Sequence, residues 1–427
     1  MSAGYKSAQH LHYPPPIQNK ARTHQDLVNG GQVSMQYRRF GRTELQIPVF
    51  SCGGMRYQHS WKDEPGWKVP KASQDNLDAT IRRSIELGIN HIETARGYGT
   101  SELQLGRILP TFPRHQLIIQ TKVAPKENAK EFRKTFEQSL RNLNLDYVDL
   151  LGIHGINTPE LLEFTLRPGG CLDIARQLQE QGKVKFVGFS THGPTDLIVE
   201  TIQTDQFDYV NLHWYYINQF NWPAIEAATH HDVGVFIISP SDKGGMLYKP
   251  SPKLVELCQP LSPMVFNDLF CLSHPLVHTL SLGAARPSDF DEHLKTLELL
   301  DQAETLLPSI LERLQAAAIA TLGEDWVNTW HQGLPTHEQT PGNINIPIIL
   351  WLRNLALAYD MQEYAKMRYN LLGQASHWFP GQKATHLSDF DLSECLQTSP
   401  HADKIPALLS QTHSQLGGQS IQRLSQS

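Results

Sequence analysis

Short runs of apolar and β-branched residues alternate along most of this chain with longer segments whose apolar positions recur every three or four residues. From residue 36 onward the short runs are IPVFSCGG (47–54), NHIETA (90–95), LIIQTKV (117–123), VDLLGIH (148–154), VKFVGFS (184–190), YVNLHW (209–214), VGVFIIS (233–239) and HTLSLGA (278–284). Most are close to continuously hydrophobic, as parallel strands buried on both faces must be. The intervening segments have helical periodicity. Leu77, Ile81 and Ile85 fall at steps of four and are followed by Gly88 as a stop, and Phe132, Phe136, Leu140 and Leu143 form a second one-sided stripe. Eight such strands alternating with helices predict a closed (β/α)8 TIM barrel over residues 35–306. A doubly wound open sheet would need a Gly-rich G-x-G-x-x-G turn after the first strand, and Cys52-Gly53-Gly54-Met55 does not supply one.

The rhythm fails at both ends. Residues 1–34 contain Tyr-Pro-Pro-Pro, Asn-Gly-Gly and many polar residues, and are expected to be a flexible tail with too little apolar surface to fold alone; Met35 is an alternative start. After Ala284-Ala285-Arg286-Pro287 one more helix is expected near 288–306. Residues 307–427 lack strand rhythm and are expected to form a helical C-terminal region, with a Pro/Gly/Asn-rich break at 333–347 and a frayed end. The composition, 40% hydrophobic and 19% charged with a net charge of −6, is that of a globular protein without the basic footprint of a nucleic-acid binder. No apolar run approaches the ~18 residues of a membrane span, and the N-terminus lacks the apolar core of a signal peptide, so a cytoplasmic location is expected. The five cysteines are scattered and include no C-x-x-C pair, which points to buried thiols and to neither a metal site nor a disulfide framework.

Active sites of such barrels gather where the strands end. The second strand carries Glu93 near its end and runs into Thr94-Ala95-Arg96-Gly97-Tyr98, the third ends near Thr121-Lys122 and the fourth at His154. A free phenol titrates near ~10, too high for an acid at neutral pH. A nearby ammonium favours the phenolate and so tunes the phenol as a proton donor, a carboxylate holds the ammonium, and a histidine orients a carbonyl. A hydride must come from a nicotinamide, because no side chain provides one.

The segment NHIETARGYGTSELQLG resembles the signature of the aldo/keto reductase family, G-x-N-x-x-D-T-A-x-x-Y-G-x-S-E. The TK of IIQTKV, DLLGIHG and GFSTHG resemble later blocks of that family in the same order, so the resemblance covers about residues 36–306. It implies Tyr98 as general acid, Lys122 as its partner and His154 as the carbonyl-orienting group, with Glu93 where the family has aspartate. It also implies that Ser190, Thr191 and Asn211 hold a nicotinamide carboxamide and that Trp214 or Tyr215 stacks on the ring. The loop bearing Ser239, Lys243, Gly244 and Gly245 would cover the pyrophosphate, and Arg286, Ser288 and Asp289 would hold the adenosine phosphate. An arginine fork suits a 2′-phosphate, which favours NADPH over NADH. The implied reaction is reduction of a small-molecule aldehyde or ketone; the alternative is a non-catalytic NADPH-binding regulatory or partner-docking protein.

The C-terminal region resembles a subgroup of barrel reductases with a ferredoxin-like extension. Thr340-Pro341-Gly342-Asn343-Ile344-Asn345-Ile346, Glu394-Cys395 and Ser399-Pro400-His401 are the matching pieces, but of the cluster cysteines only Cys395 is present. One thiolate does not hold an iron–sulfur cluster that needs four ligands, so no cluster is expected.

Overall fold

The computed structural model describes residues 34–374 and 380–419, so the expected N-terminal tail lies almost wholly outside the described residues. The described residues divide into two compact units, one of 34–244 with Asn267–Ala303 and one of Gly245–Phe266 with 304–419.

The first unit is a closed barrel. Two short strands precede it, β1 (Tyr37–Arg39) and β2 (Gln46–Pro48), paired antiparallel. Eight parallel strands then close in the order β10-β3-β4-β5-β6-β7-β8-β9. They are β3 (Phe50–Gly53), β4 (His91–Glu93), β5 (Ile118–Val123), β6 (Val148–His154), β7 (Val184–Ser190), β8 (Tyr209–Leu212), β9 (Gly234–Ile237) and β10 (Thr279–Leu282). Each lies inside one of the eight apolar runs. The first run splits, because Val49 N–H bonds back to the Gln36 carbonyl and leaves 46–48 to the hairpin while 50–53 enters the barrel. The hairpin closes the N-terminal end: Phe40 and Ile47, both fully buried, pack with Ile118, Leu150, Tyr209 and Phe236.

The helices follow the stripes read from the sequence. Helix α1 (Lys71–Glu86) buries Leu77 and Ile81, and Gly88, at φ +81°, turns the chain into β4. Helix α3 (Ala129–Leu143), which follows α2 (Ser101–Ile108), buries Phe132, Phe136, Leu140 and Leu143. It is capped by Asn128, whose side chain accepts from Lys130 N–H, and stopped by left-handed Asn144. The helix expected near 288–306 is broken. Pro287–Phe290 is a 3-10 turn and Asp291–Leu294 a single helical turn. Successive three-residue hydrogen bonds (Thr296 N to His293 O, Leu299 N to Thr296 O, Gln302 N to Leu299 O) then carry the chain to a long helix, Ala303–Leu322.

Two glycines shape the barrel interior. A Cβ on Gly152 of β6 would lie 2.8 Å from Lys122 Cγ, and one on Gly188 of β7 would lie 2.4–2.5 Å from the Tyr209 carbonyl oxygen and ring. The bare backbone leaves the volume that the Lys122 stem and the Tyr209 ring occupy.

The second unit is helical in its described residues. Its most apolar helix, Ile346–Ala358, buries Ile346, Ile349, Leu350, Leu352 and Leu355. The Pro-Gly-Asn passage before it is a turn with Gly342 at φ +68°, and Asn345 caps the helix by accepting from Ile348 N–H while donating to Pro380 O at 2.7 Å. Cys395 donates its thiol to Leu392 O, and His401 Nε2 lies 2.8 Å from Thr329 Oγ1.

Gly188→Ala is expected to destabilise the barrel by at least about 1–3 kcal/mol, the usual cost of overpacking a filled interior. A lower denaturant midpoint in equilibrium unfolding checks this, and an unchanged midpoint would show that Tyr209 yields freely.

Candidate active site

The C-terminal ends of β4, β5 and β6 bring four of the expected residues together. Glu93 ends β4, Lys122 is the next-to-last residue of β5 and His154 ends β6. Tyr98 sits in the loop between β4 and α2, whose backbone is tied down by Thr94 N to Gln120 O, at 2.8 Å, and Arg96 N to Lys122 O, at 2.9 Å. Glu93 and Lys122 are each about 2% exposed and form a direct ion pair, so the extra methylene of glutamate does not prevent contact. The other Glu93 oxygen accepts from Ser281 Oγ at 3.3 Å. Burial pushes the Lys122 ammonium well below the ordinary lysine range, and the carboxylate in contact opposes that displacement by favouring the charged form. The Lys122 Nζ lies 4.9 Å from the Tyr98 ring centroid, and the Tyr98 and His154 rings meet edge to face at 5.8 Å.

Of the two tryptophans in the loop after β3, Trp61 sets its ring edge to face with Tyr98 at 6.0 Å, whereas Trp67 points outward and is 81% exposed.

The residues expected to hold a cofactor divide into several groups. Ser190 and Asn211 end up side by side: the register pairs His154 with Ser190 across β6 and β7, and Ser190 with Asn211 across β7 and β8. Ser190 Oγ accepts from Gly155 N–H at 3.1 Å. Thr191 is committed to its loop, donating to Ile156 O and accepting from Gly193 N–H. Trp214 is fully buried, stacked on Phe270 at 4.9 Å, with Trp222 tilted against it at 5.3 Å and His274 perpendicular to it at 4.9 Å. Tyr215 is also fully buried and donates its hydroxyl to Ile238 O. Neither ring is displayed as a stacking platform at the barrel mouth.

In the loop after β9, Ser239 is left-handed at φ +55° and its carbonyl accepts from Lys243 N–H. A Cβ on Gly244 would strike Pro240 O at 1.9 Å, and Gly245 follows at φ +130°. Lys243 Nζ approaches His213 Nε2 at 3.2 Å and His192 Nδ1 at 3.4 Å. After β10, Asp289 accepts from Ala285 N–H and from Arg286 Nε, while Arg286 is 72% exposed and Ser288 is exposed.

Two clusters were not foreseen from the sequence, although one member of each, Lys243 and Asn211, was expected at the cofactor. One is the His192–His213–Lys243 group just beyond β7, β8 and β9. The other lies inside the barrel: Ser51, His91, Gln120, Asn211 and Thr279 are all fully buried. Ser51 Oγ lies 2.7 Å from Thr279 Oγ1 and 2.6 Å from His91 Nδ1; His91 Nε2 lies 3.1 Å from Gln120 Oε1; Gln120 Nε2 donates to Asn211 Oδ1 at 3.3 Å. Their signal was present in the sequence, since polar residues interrupt otherwise apolar strand runs. Burial pushes the His91 imidazolium down to about 3 and keeps the ring neutral.

Residues 51–199, which include Glu93, Tyr98, Lys122, His154, Ser190 and Thr191, match the model of the aldo/keto reductase family. Over those residues the barrel is similar to the aldo/keto reductase family. An L-galactose dehydrogenase from Arabidopsis thaliana is 30% identical over 165 residues, covering 36% of this chain and 48% of that protein. A methylglyoxal reductase from Salmonella typhimurium is 32% identical over 153 residues, covering 35% and 53%. The chain thus spans about half the length of these curated relatives. Among solved structures, the holo form of an aldo-keto reductase from Bacillus halodurans aligns with a TM-score of 0.52 at 19% identity, over 65% of this chain and 96% of that one. An aldo-keto reductase from Klebsiella pneumoniae in complex with NADPH aligns with a TM-score of 0.51 at 18% identity, over 64% and 95%. At these identities the likeness is one of fold. Among the described residues no helix is long and apolar enough to cross a membrane, and no group of three or more His, Cys, Asp or Glu is placed to hold a metal ion.

Two outcomes follow for this barrel. Glu93→Gln leaves the Lys122 ammonium buried without its carboxylate and is expected to cost about 3–5 kcal/mol, whereas the double variant Glu93→Gln/Lys122→Met recovers most of that loss. Urea unfolding of both variants measures the difference; equal losses would show that the pair is not coupled. The second outcome concerns pH. His91 has a folded value near 3 against an ordinary 6.5, so the unfolded chain takes up a proton that the folded one refuses. Its contribution is present above pH 6.5 and is lost as pH falls toward 3. His91→Gln is expected to flatten the stability-versus-pH slope by up to about 1.4 kcal/mol per pH unit near pH 5. An unchanged slope in pH-dependent unfolding would refute it.

Proposed function

We propose that this chain is an NADPH-dependent carbonyl reductase that converts an aldehyde or ketone to the alcohol. The observation that carries this reading is the buried Glu93–Lys122 pair set against the Tyr98 ring, with His154 packed edge to face on the same ring. The names of the relatives support the same chemistry, since the matched curated proteins include a methylglyoxal reductase and an L-glyceraldehyde 3-phosphate reductase.

The residues present fit a nicotinamide cofactor. Asn211 is fully buried, its side-chain oxygen is taken by Gln120, and its amide nitrogen has no partner among the described residues. Beside Ser190, that nitrogen is a donor awaiting an acceptor such as a carboxamide. The Ser239–Gly245 loop would lie over the pyrophosphate, and the exposed Arg286 would meet the 2′-phosphate. Ser288 and Asp289 lie beside Arg286, with Asp289 fixing the turn rather than offering charge to a phosphate.

When bound, the nicotinamide supplies a hydride to the carbonyl carbon. Tyr98 would give its hydroxyl proton to the carbonyl oxygen, which with the hydride on carbon completes the alcohol. The Lys122 ammonium stabilises the phenolate left behind, and Glu93 keeps that ammonium charged and in place. His154 orients the carbonyl oxygen toward Tyr98, and Trp61 walls the site beside the Tyr98 ring. The contact between Glu93 and Lys122 favours turnover over a purely regulatory use of the bound nucleotide.

Purified protein with NADPH and a panel of small aldehydes, ketones and quinones is expected to consume NADPH, and Tyr98→Phe to lower that rate by about 10²–10⁴-fold while still binding NADPH. The assay is loss of nicotinamide absorbance. NADPH binding without Tyr98-dependent consumption on any carbonyl would replace the enzyme reading with a nucleotide-binding one.

A further inference from the structure

The buried polar residues of the barrel interior form one continuous line, and its end is the Asn211 amide. Such interiors are ordinarily filled by branched apolar side chains. Here five strands, β10, β3, β4, β5 and β8, each give a fully buried polar side chain to a single hydrogen-bonded series: Thr279, Ser51, His91, Gln120, Asn211. Gln120 and Asn211 stand on strands that are not neighbours in the barrel order, so their contact crosses the lumen. Maintaining such a series in a dry interior is costly unless each member is satisfied.

The series has a direction. His91 is neutral and so has one ring N–H. With the Ser51 hydroxyl donating to Nδ1, the remaining N–H sits on Nε2 and donates to Gln120 Oε1. That choice turns the Gln120 amide so that Nε2 donates to Asn211 Oδ1. Asn211 must then present its own N–H₂ group away from Gln120. In the opposite tautomer every amide would reverse, and Asn211 would present an oxygen.

We propose that Ser51, His91 and Gln120 are positioning residues that fix the Asn211 amide as a hydrogen-bond donor to the nicotinamide carboxamide. This rests on the NADPH reading above. None of the three touches the cofactor; each acts through the next. The role explains why a series of polar groups is retained in the barrel lumen and why, at its end, Asn211 Nδ2 is a buried donor with no partner among the described residues.

The test measures binding rather than turnover. Full-length wild type, Gln120→Met and Ser51→Ala are titrated calorimetrically with NADP⁺ and with 2′,5′-ADP, which shares the phosphoadenosine part but lacks the nicotinamide. Wild type is expected to prefer NADP⁺. Gln120→Met removes the anchor of Asn211 and is expected to weaken NADP⁺ by about tenfold, the loss of one hydrogen bond, while 2′,5′-ADP binds as before. Ser51→Ala, a small change at the far end, is expected to shift the same ratio in the same direction by a smaller factor. An unchanged ratio of the two affinities in either folded variant overturns the relay, as does an equal loss for both ligands, which marks a merely structural effect. Should Gln120→Met fail to fold, Ser51→Ala decides alone. Wild type that binds 2′,5′-ADP as tightly as NADP⁺ also overturns the relay, and wild type that binds neither removes the NADPH reading as well.

Discussion

The contact on which the rest of the site depends is the ion pair between Lys122 and Glu93. An ammonium and a carboxylate that are both about 2% exposed have given up nearly all their hydration, and each is tolerable only because the other is there. That mutual requirement explains much of what surrounds them. Gly152 has no side chain because the Lys122 stem passes where its Cβ would be. Ser281 donates to the second carboxylate oxygen. The loop from Thr94 to Tyr98 is tied by backbone hydrogen bonds to Gln120 and Lys122 themselves, so Tyr98 is placed by the same strand that holds its cation.

The barrel below this pair has two kinds of interior. At the N-terminal end it is an apolar plug, built from the β1–β2 hairpin with Phe40 and Ile47 against Tyr209 and Phe236. Toward the mouth it becomes polar, first through the Thr279–Ser51–His91–Gln120–Asn211 series and then through the charged pair. The hydrophobic plug supplies stability and excludes water from beneath, and the low dielectric it creates strengthens every polar contact above it. A histidine held down to about 3 is one consequence, because burial and the nearby Lys122 charge act on it in the same direction.

The barrel and most of the central site were legible along the chain. Strand-length apolar runs and one-sided helical stripes are local consequences of which faces meet the core, so all eight barrel strands fell inside the runs. Glu93, Tyr98, Lys122 and His154 were legible because strand ends converge at one mouth once the barrel closes. The broken helix after β10 was less legible, since 291–302 has an acceptable helical pattern and its three-residue hydrogen bonds leave no mark in periodicity. The placement of Trp214 was not legible either. An aromatic just past a strand end serves equally to line a mouth or to pack outward, and here Phe270, Trp222 and His274 surround it.

What the sequence determined by itself was the order and type of elements and the identity of the residues that close on one another at strand ends, because these depend on period and position along the chain. The tertiary structure decided whether glutamate at position 93 reaches Lys122, which depends on room left by glycines on other strands. It also decided which polar residues inside strands form one hydrogen-bonded series. Gln120 and Asn211 are 91 residues apart and meet only because the strands curve into a closed lumen, a geometry that no local pattern encodes.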